Sequence, residues 1–302
     1  MSPARIELTL GPLLFNWPAD QVRDFYARMS DEPAVERVYL GEVVCGKRAP
    51  LLAEALLDSA ERLEAAGKAV VWSTLALPAT PRELRGMGEL VAAGGLVELN
   101  DIAGLSQAAP GAAFVAGPFL NVYNEAAARE LMRRGCVRLC ANVEAPLASV
   151  SAIAAACPGL EIELFAYGRL PLALSGRCYH ARAHGLHKDA CQFVCDRDPD
   201  GMAVRTVEGE PFLAINGVQT LSHGVQLADT APDALRAAGV GALRLSPHSG
   251  DMAAVARAFR GFLDGGTDAR GLRRAVEAAG PPGPLVNGYL AGAAGRRPVA
   301  ET

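Results

Sequence analysis

The chain lacks an excess of either charge, a long apolar run and a basic leader. Its 302 residues include 29 Lys and Arg against 33 Asp and Glu, for a net charge of −4, which provides no broad basic surface for nucleic acid. No stretch approaches the roughly 18 apolar residues of a membrane span. The amino terminus lacks the basic start, apolar run and cleavage site of a secretory signal. We therefore expect a cytoplasmic protein with no membrane span and no nucleic-acid partner.

The hallmark sequences of several enzyme classes are also missing. The chain contains no His-Glu-x-x-His, Gly-x-Ser-x-Gly or full Gly-x-Gly-x-x-Gly, which removes the usual signatures of zinc proteases, serine hydrolases and dinucleotide-binding enzymes. The segment from Gly41 to Lys47 fits the phosphate-loop pattern Gly-x4-Gly-Lys, but Arg48 stands where a hydroxyl should bind magnesium. We interpret this segment as a tight turn between a strand and a helix.

What the chain has is a regular alternation of short apolar runs and amphipathic segments. Half of its residues are hydrophobic and 21% are charged, a composition typical of a globular protein with a large core. Strands are predicted at Ile6–Leu10, Arg37–Leu40, Ala69–Thr74, Leu96–Leu99, Phe114–Ala116, Val137–Cys140, Glu161–Phe165 and Ala242–Leu245. Helices are predicted at Leu51–Ala66, Pro81–Ala93, Ala126–Arg134, Pro146–Ala156 and Met252–Leu263. About eight such units indicate an α/β fold, a (β/α)8 TIM-like barrel.

One connection is much longer than a single helix requires. The chain between the strand ending near Phe165 and the strand starting at Ala242 holds three of the seven cysteines and an extra strand candidate, Phe212–Asn216. We expect a single barrel domain over residues 1–290, with a cysteine-bearing insertion at about 169–211 after a late strand, and a flexible tail over 291–302. Such an insertion would lie over the carboxyl-end face, where barrel enzymes build their sites.

The cysteines favour metal binding over a disulfide framework, because their number is odd and the expected compartment is reducing. Cys178, Cys191 and Cys195 follow one another as Cys-x12-Cys-x3-Cys, which leaves a zinc site one ligand short. The missing zinc ligand is available from His180, His184 or His187. An iron–sulfur cluster needs a fourth thiolate, for which Cys45 is a candidate because it follows the second strand. Both kinds of site stay open on spacing alone.

The other three cysteines have a simpler interpretation. Cys136 and Cys140 are four residues apart in a strand candidate and therefore share one face, as buried small apolar residues do. Cys157 precedes a proline at a helix end. We do not expect these three as ligands.

The run from Glu163 to Cys178 resembles the signature of the collagenase-like peptidase family. That signature is usually Glu-x-Phe-x-His-Gly, a small or apolar pair and a cysteine, then Ser-Gly-x-Cys. Here Tyr167 stands for the histidine and Pro171 for the first cysteine. Further matches over roughly residues 8–250 resemble the subgroup of this family that acts in ubiquinone biosynthesis. They are Leu10-Gly11-Pro12, Tyr39–Arg48, Ser73–Leu77, Tyr167–Ala173 and Asn216–Thr220.

This resemblance implies a cofactor, partners and an activity. The implied cofactor is a [4Fe-4S] cluster held by Cys45, Cys178, Cys191 and Cys195. The implied partners are UbiU, a related protein with its own cluster, and other ubiquinone biosynthesis proteins. The implied activity is oxygen-independent hydroxylation of the ubiquinone precursor ring by this heterodimer, with prephenate as the hydroxyl donor. Peptidase activity is not implied, because no nucleophile–base pair is visible in the sequence. Four cysteine ligands leave no iron open to substrate, which favours electron transfer or a structural role.

Two other functions stay open at this point. The chain is alternatively a scaffold subunit with a structural cluster or zinc, or a factor for RNA hydroxylation, against which the acidic composition counts. Arg169, Arg177, Arg182 and Lys188 either attract an anionic substrate or an acidic partner, or form a solvated basic face.

Overall fold

The computed structural model describes residues 5–299 and contains a closed barrel of eight parallel strands. The barrel strands are β1 (Glu7–Leu10), β2 (Arg37–Leu40), β3 (Ala69–Ser73), β4 (Val97–Leu99), β5 (Phe114–Ala116), β6 (Cys136–Cys140), β7 (Glu161–Leu174) and β11 (Val240–Leu245). Neighbours in the chain pair in sequence from β1 to β7, and β11 pairs with both β7 and β1, which closes the ring. The predicted (β/α)8 class is confirmed.

Helices lie between the barrel strands and after the last of them, β11. They are α1 (Ala19–Ser30), α2 (Ala49–Ala65), α3 (Pro81–Ala92), α4 (Ala103–Gln107), α5 (Glu125–Arg133), α6 (Leu147–Ala156), α7 (Tyr179–Ala183), α8 (Pro232–Ala237), α9 (Met252–Leu263) and α10 (Ala269–Ala278). Local signals fix several of their starts: Thr80 accepts a hydrogen bond from the Glu83 amide, and Pro81 occupies the first turn of α3. None of the helices in residues 5–299 is long and apolar enough to cross a membrane.

The barrel interior is polar at its centre, where barrels usually pack branched apolar side chains. Arg244 on β11 is fully buried and binds Glu98 on β4 at 2.5 Å and Glu163 on β7 at 2.8 Å. The Tyr39 hydroxyl donates to Glu163 at 2.8 Å, and the Arg244 guanidinium lies 3.9 Å from the centre of the Tyr39 ring. This network joins β2, β4, β7 and β11 across the barrel.

The strand predicted to end at Phe165 is longer in the structure and leaves the barrel. Beyond its pairing with β11, β7 continues to Leu174 and pairs antiparallel with β10 (Gln219–Leu227). The outer strands β9 (Pro211–Asn216) and β8 (Met202–Arg205) extend this antiparallel sheet, and β12 (Leu285–Val286) pairs with β10. The predicted extra strand near 212–216 is therefore β9.

Cys178, Cys191 and Cys195 lie on the chain between β7 and β8, next to this antiparallel sheet. At the other end of the chain, the Asn287 side chain exchanges hydrogen bonds with the backbone of Val299, at 2.7 and 2.9 Å. Residues 300–302 of the expected tail lie outside the described part of the chain.

Candidate functional site

Cys45, Cys178, Cys191 and Cys195 line one small cavity. Cys45 comes from the turn between β2 and α2, and Cys178 caps the start of α7. Cys191 ends one short 3-10 turn and Cys195 lies in the next, Val194–Arg197. The structure thus brings together all four cysteines that the family resemblance implies as ligands, across 150 residues of sequence.

The turn that carries Cys45 is built around a buried carboxylate. Glu42 accepts hydrogen bonds from the amides of Val44 at 2.8 Å and Cys45 at 2.9 Å. Gly41 begins the turn with a φ of +142°, and a Cβ at this position would lie 2.4 Å from the carbonyl oxygen of Ser73. The segment is a turn, as interpreted from the sequence, and it directs Arg48 to the thiols, where that side chain lines the same cavity.

A left-handed stretch of backbone lies between Cys191 and Cys195. Gln192 and Phe193 have φ values of 51° and 53°, a conformation that non-glycine residues seldom adopt. Such conformations cost on the order of 1–3 kcal/mol each and cluster at functional sites. Here they turn the chain sharply, so that both thiols of the close pair reach the cavity.

Donors from two distant segments point at the sulfur of Cys195. Arg48 Nη2 lies 3.3 Å and Asn16 Nδ2 lies 3.4 Å from Cys195 Sγ. The same Arg48 nitrogen donates to Asn216 Oδ1 at 2.6 Å, and Asn216 Nδ2 donates to the Cys195 carbonyl at 3.0 Å. The Ala181 amide lies 3.4 Å from Cys178 Sγ. Hydrogen-bond donors of this kind orient and stabilise sulfur ligands.

Two opposing effects act on the pKa values of the thiols. Burial raises the pKa of Cys45 and Cys195, and the nearby Arg48 guanidinium opposes that rise in both. Arg48 is only 1% exposed, and its Nη1 has no hydrogen-bond partner among the described residues. A buried cation with an unused donor favours negative charge in the cavity, and thiolates or a thiolate-ligated cluster carry such charge.

Comparison with known proteins identifies the family. The sequence model described as peptidase family U32 matches residues 19–293, which is most of the chain. The chain belongs to peptidase family U32. Among solved structures, this U32 chain is similar to the phospho-2-dehydro-3-deoxyheptonate aldolase of Thermotoga maritima. The two share 12% identity with a TM-score of 0.34, over 90% of this chain and 67% of the aldolase.

The two departures of this U32 chain from the family signature lie outside the lining of the thiol cavity. The Tyr167 hydroxyl, which replaces the histidine, is buried 2.6 Å from His248 Nε2. Pro171, which replaces a cysteine, pairs with Leu221 in the antiparallel sheet. Because Cys45 reaches the cavity from another loop, the loss of the cysteine at position 171 still leaves four thiols there.

Of the three histidines considered as zinc ligands, only His180 lines the cavity. Its Nδ1 lies 3.2 Å from the Ile215 carbonyl oxygen and its Nε2 lies 3.0 Å from Asp198 Oδ2. Each ring nitrogen therefore lies beside a protein oxygen that competes with a metal for the imidazole. Within residues 5–299, no three Cys, His, Asp or Glu side chains converge as a single-ion site requires.

The remaining cysteines and one of the basic residues have structural environments. Cys136, Cys140 and Cys157 are buried away from the thiol cavity, and burial raises the pKa of Cys136 to about 11. Arg169 is also buried and donates to the backbone carbonyls of Asp200, Ser222 and Pro282 at 2.7–3.0 Å. The suggestion that Arg169 attracts a substrate or a partner is therefore wrong, because its guanidinium fastens the antiparallel sheet to the loop before β12.

Sequence reasoning missed the residues that surround the thiols. In the sequence, Arg48 stands out only as a mismatch to the phosphate-loop pattern, and no pattern indicates a role for Asn16 or Asn216. The family resemblance contains a signal for two of them, since Arg48 and Asn216 fall inside the matching segments Tyr39–Arg48 and Asn216–Thr220. Their contact joins positions 168 residues apart, which no local pattern predicts.

Proposed function

We propose that this U32 chain acts as UbiV, the iron–sulfur subunit of an oxygen-independent hydroxylase for the ubiquinone precursor ring. In this proposal the chain works in the cytoplasm as a heterodimer with UbiU, and prephenate donates the hydroxyl group. The observation that carries the proposal is the lining of one cavity by Cys45, Cys178, Cys191 and Cys195. The family resemblance supplies the substrate and the partner.

In this proposal the four thiols hold a [4Fe-4S] cluster and not a single zinc ion. Zinc draws its thiolates to about 2.3 Å from one point, whereas a cubane cluster spreads its four thiolates over separate irons. The four thiols share a cavity, yet no three of the described metal-binding side chains converge on one point. His180, the one histidine at the cavity, has both ring nitrogens directed at protein acceptors.

Each residue around the cavity has a distinct task in this proposal. When bound, a [4Fe-4S] cluster with four cysteine ligands supplies one-electron transfer. Cys45 ties the β2–α2 turn to the thiols of the long connection, while Arg48 and Asn16 donate to the sulfur of Cys195. Leu14, Val43 and Val44 belong to a buried apolar cluster packed against Cys45, which limits the access of water.

The test is anaerobic reconstitution of this chain with UbiU, the ring substrate and prephenate. We expect hydroxylated ring product that depends on both proteins, and we expect Cys45→Ser to abolish the product. The matched control is Cys157→Ser, which removes a buried thiol outside the cavity and should leave product formation intact. A full yield of product with Cys45→Ser would contradict the proposal.

A scaffold role is the second candidate, because the cavity fastens the β2–α2 turn to the chain after β7. Measuring the binding of UbiU to the Cys45→Ser variant distinguishes the redox role from the scaffold role. A variant that still binds UbiU but forms no product supports the redox role, whereas a variant that loses stability and UbiU binding together supports the scaffold role.

A further inference from the structure

A large groove opens between helices α2 and α3, on the outer side of the barrel. Helix α1 packs against α2 and α3 packs against α4, whereas the groove separates α2 from α3. Its volume is ≈1010 Å³, at the upper end of the range of about 300–1,000 Å³ for small-molecule pockets. The ring of helices is thus open beside β3.

The exposed lining of the groove is mostly apolar. Its floor reaches the barrel wall at Trp72 on β3, flanked by the buried side chains of Leu56 and Met87. Leu57 and Leu90 form the walls, and Leu57 is 58% exposed. Contact of this leucine and the apolar cleft with water is unfavourable in free energy, and a ligand that covers both surfaces removes that contact.

Polar groups gather at the end of the groove that is nearest the thiol cavity. Lys47, Lys188 and Phe193 line both the groove and the thiol cavity, so the two adjoin there. Lys47 Nζ lies 3.2 Å from Asp189 Oδ1 and 2.6 Å from the carbonyl oxygen of Lys188. No cysteine lines the groove itself.

We propose that this groove binds an amphipathic small molecule, with a hydrocarbon chain between α2 and α3 and a polar head at Lys47 and Lys188. The lining matches such a molecule because Leu56, Leu57, Met87 and Leu90 supply apolar surface, whereas Lys47 and Lys188 supply charge at the end shared with the thiol cavity; Glu89, beside Leu90, is the exception. A head group at that end lies next to the thiol cavity. The proposal goes beyond the proposed function, which assigns no substrate-binding residue, and it does not depend on a cluster.

Gly86 offers a way to fill the groove without disturbing the fold. This residue lies on α3, lines the groove, and has no atom within 4 Å of the position that a Cβ would occupy. A side chain there enters open space, and glycine is a poor helix former, so a larger residue also favours the helix. Gly261 on α9 has the same free surroundings and does not line the groove, which makes it a matched control.

The test is a fluorescence titration of the purified chain with dansyl-undecanoic acid, a hydrocarbon chain with a polar head. We expect saturable binding to the wild type, binding at least tenfold weaker with Gly86→Phe, and unchanged binding with Gly261→Phe. A second pair of variants lies on α2. Leu57→Glu should weaken binding of the probe. Leu51 is 51% exposed but lies outside the groove, so Leu51→Glu should leave binding unchanged.

Two results would overturn the proposal. One is the absence of saturable binding of the probe to the wild-type chain. If, in that case, Gly86→Phe abolishes binding of UbiU, the groove is a protein-docking surface instead. The other is equal affinity of the probe for wild type and Gly86→Phe. Iron content distinguishes failure of the groove proposal from failure of the proposed function. Gly86→Phe leaves all four thiols in place, so its iron content should equal that of the wild type whether or not the probe binds.

Discussion

Removal of the buried Arg244 guanidinium should destabilise the barrel strongly at neutral pH. Arg244→Met keeps an aliphatic stem of similar length but removes the cation that binds Glu98 at 2.5 Å and Glu163 at 2.8 Å. Both carboxylates have an exposure of 0%, so neither can turn to water for compensation. Breaking a buried ion pair in this way costs about 3–5 kcal/mol.

The cost should depend on pH in a defined direction. Burial alone raises the pKa of Glu163, but Arg244 and its hydrogen bond outweigh burial, so the pKa lies below its ordinary value. A carboxyl with a lowered pKa stabilises the fold above its unfolded pKa of about 4.3, and this contribution is lost as the pH falls through the folded pKa. Without Arg244, burial is less opposed and the pKa of Glu163 rises. The variant's deficit in unfolding free energy should therefore shrink as Glu163 becomes protonated.

Urea unfolding of wild type and Arg244→Met at pH 7 and at about pH 4 measures both effects. We expect a difference of about 3–5 kcal/mol at pH 7 that becomes smaller at the lower pH. A difference below about 1 kcal/mol at pH 7, typical of an exposed pair, would refute the argument. A deficit that grows on acidification would refute it equally.

Two further predictions concern the turn that carries Cys45. Arg48→Met should lower the free energy of unfolding by about 3 kcal/mol, because a buried cation and its hydrogen bonds to Cys195 and Asn216 are lost. A loss below about 1 kcal/mol in urea unfolding would contradict this prediction. Gly41→Ala should cost about 3 kcal/mol, since its Cβ would lie 2.4 Å from a backbone oxygen. The control Gly67→Ala, at φ +79° with no atom within 4 Å, should cost only about 1 kcal/mol, and equal losses for the two would show that the contact is unimportant.

Local patterns were enough to predict the barrel. Parallel strands covered by helices are buried on both faces, so they stand out as short apolar runs; the predicted Arg37–Leu40 and Phe114–Ala116 coincide with β2 and β5. The same logic failed at β7, because Gly168 and Pro171 indicate a strand end. The strand continues through both by pairing with β10, at irregular positions near Leu221.

The candidate site was only partly predictable. Spacing pointed to Cys178, Cys191 and Cys195, but it left zinc and a cluster open, and only the family resemblance implied Cys45 as the fourth ligand. The fold brings these cysteines to one cavity through contacts such as that of Arg48 with Asn216. The groove between α2 and α3 had no sequence signal, because it depends on the distance between two helices.

The most direct test of the central claim is iron and acid-labile sulfide analysis of the anaerobically purified chain and its cysteine variants. The account predicts about four irons and four sulfides per chain, lost in single Ala variants of Cys45, Cys178, Cys191 and Cys195. It predicts full content in Cys136→Ala and Cys157→Ala, whose thiols lie outside the cavity. Stoichiometric zinc without sulfide, or iron that survives loss of Cys45, would contradict it.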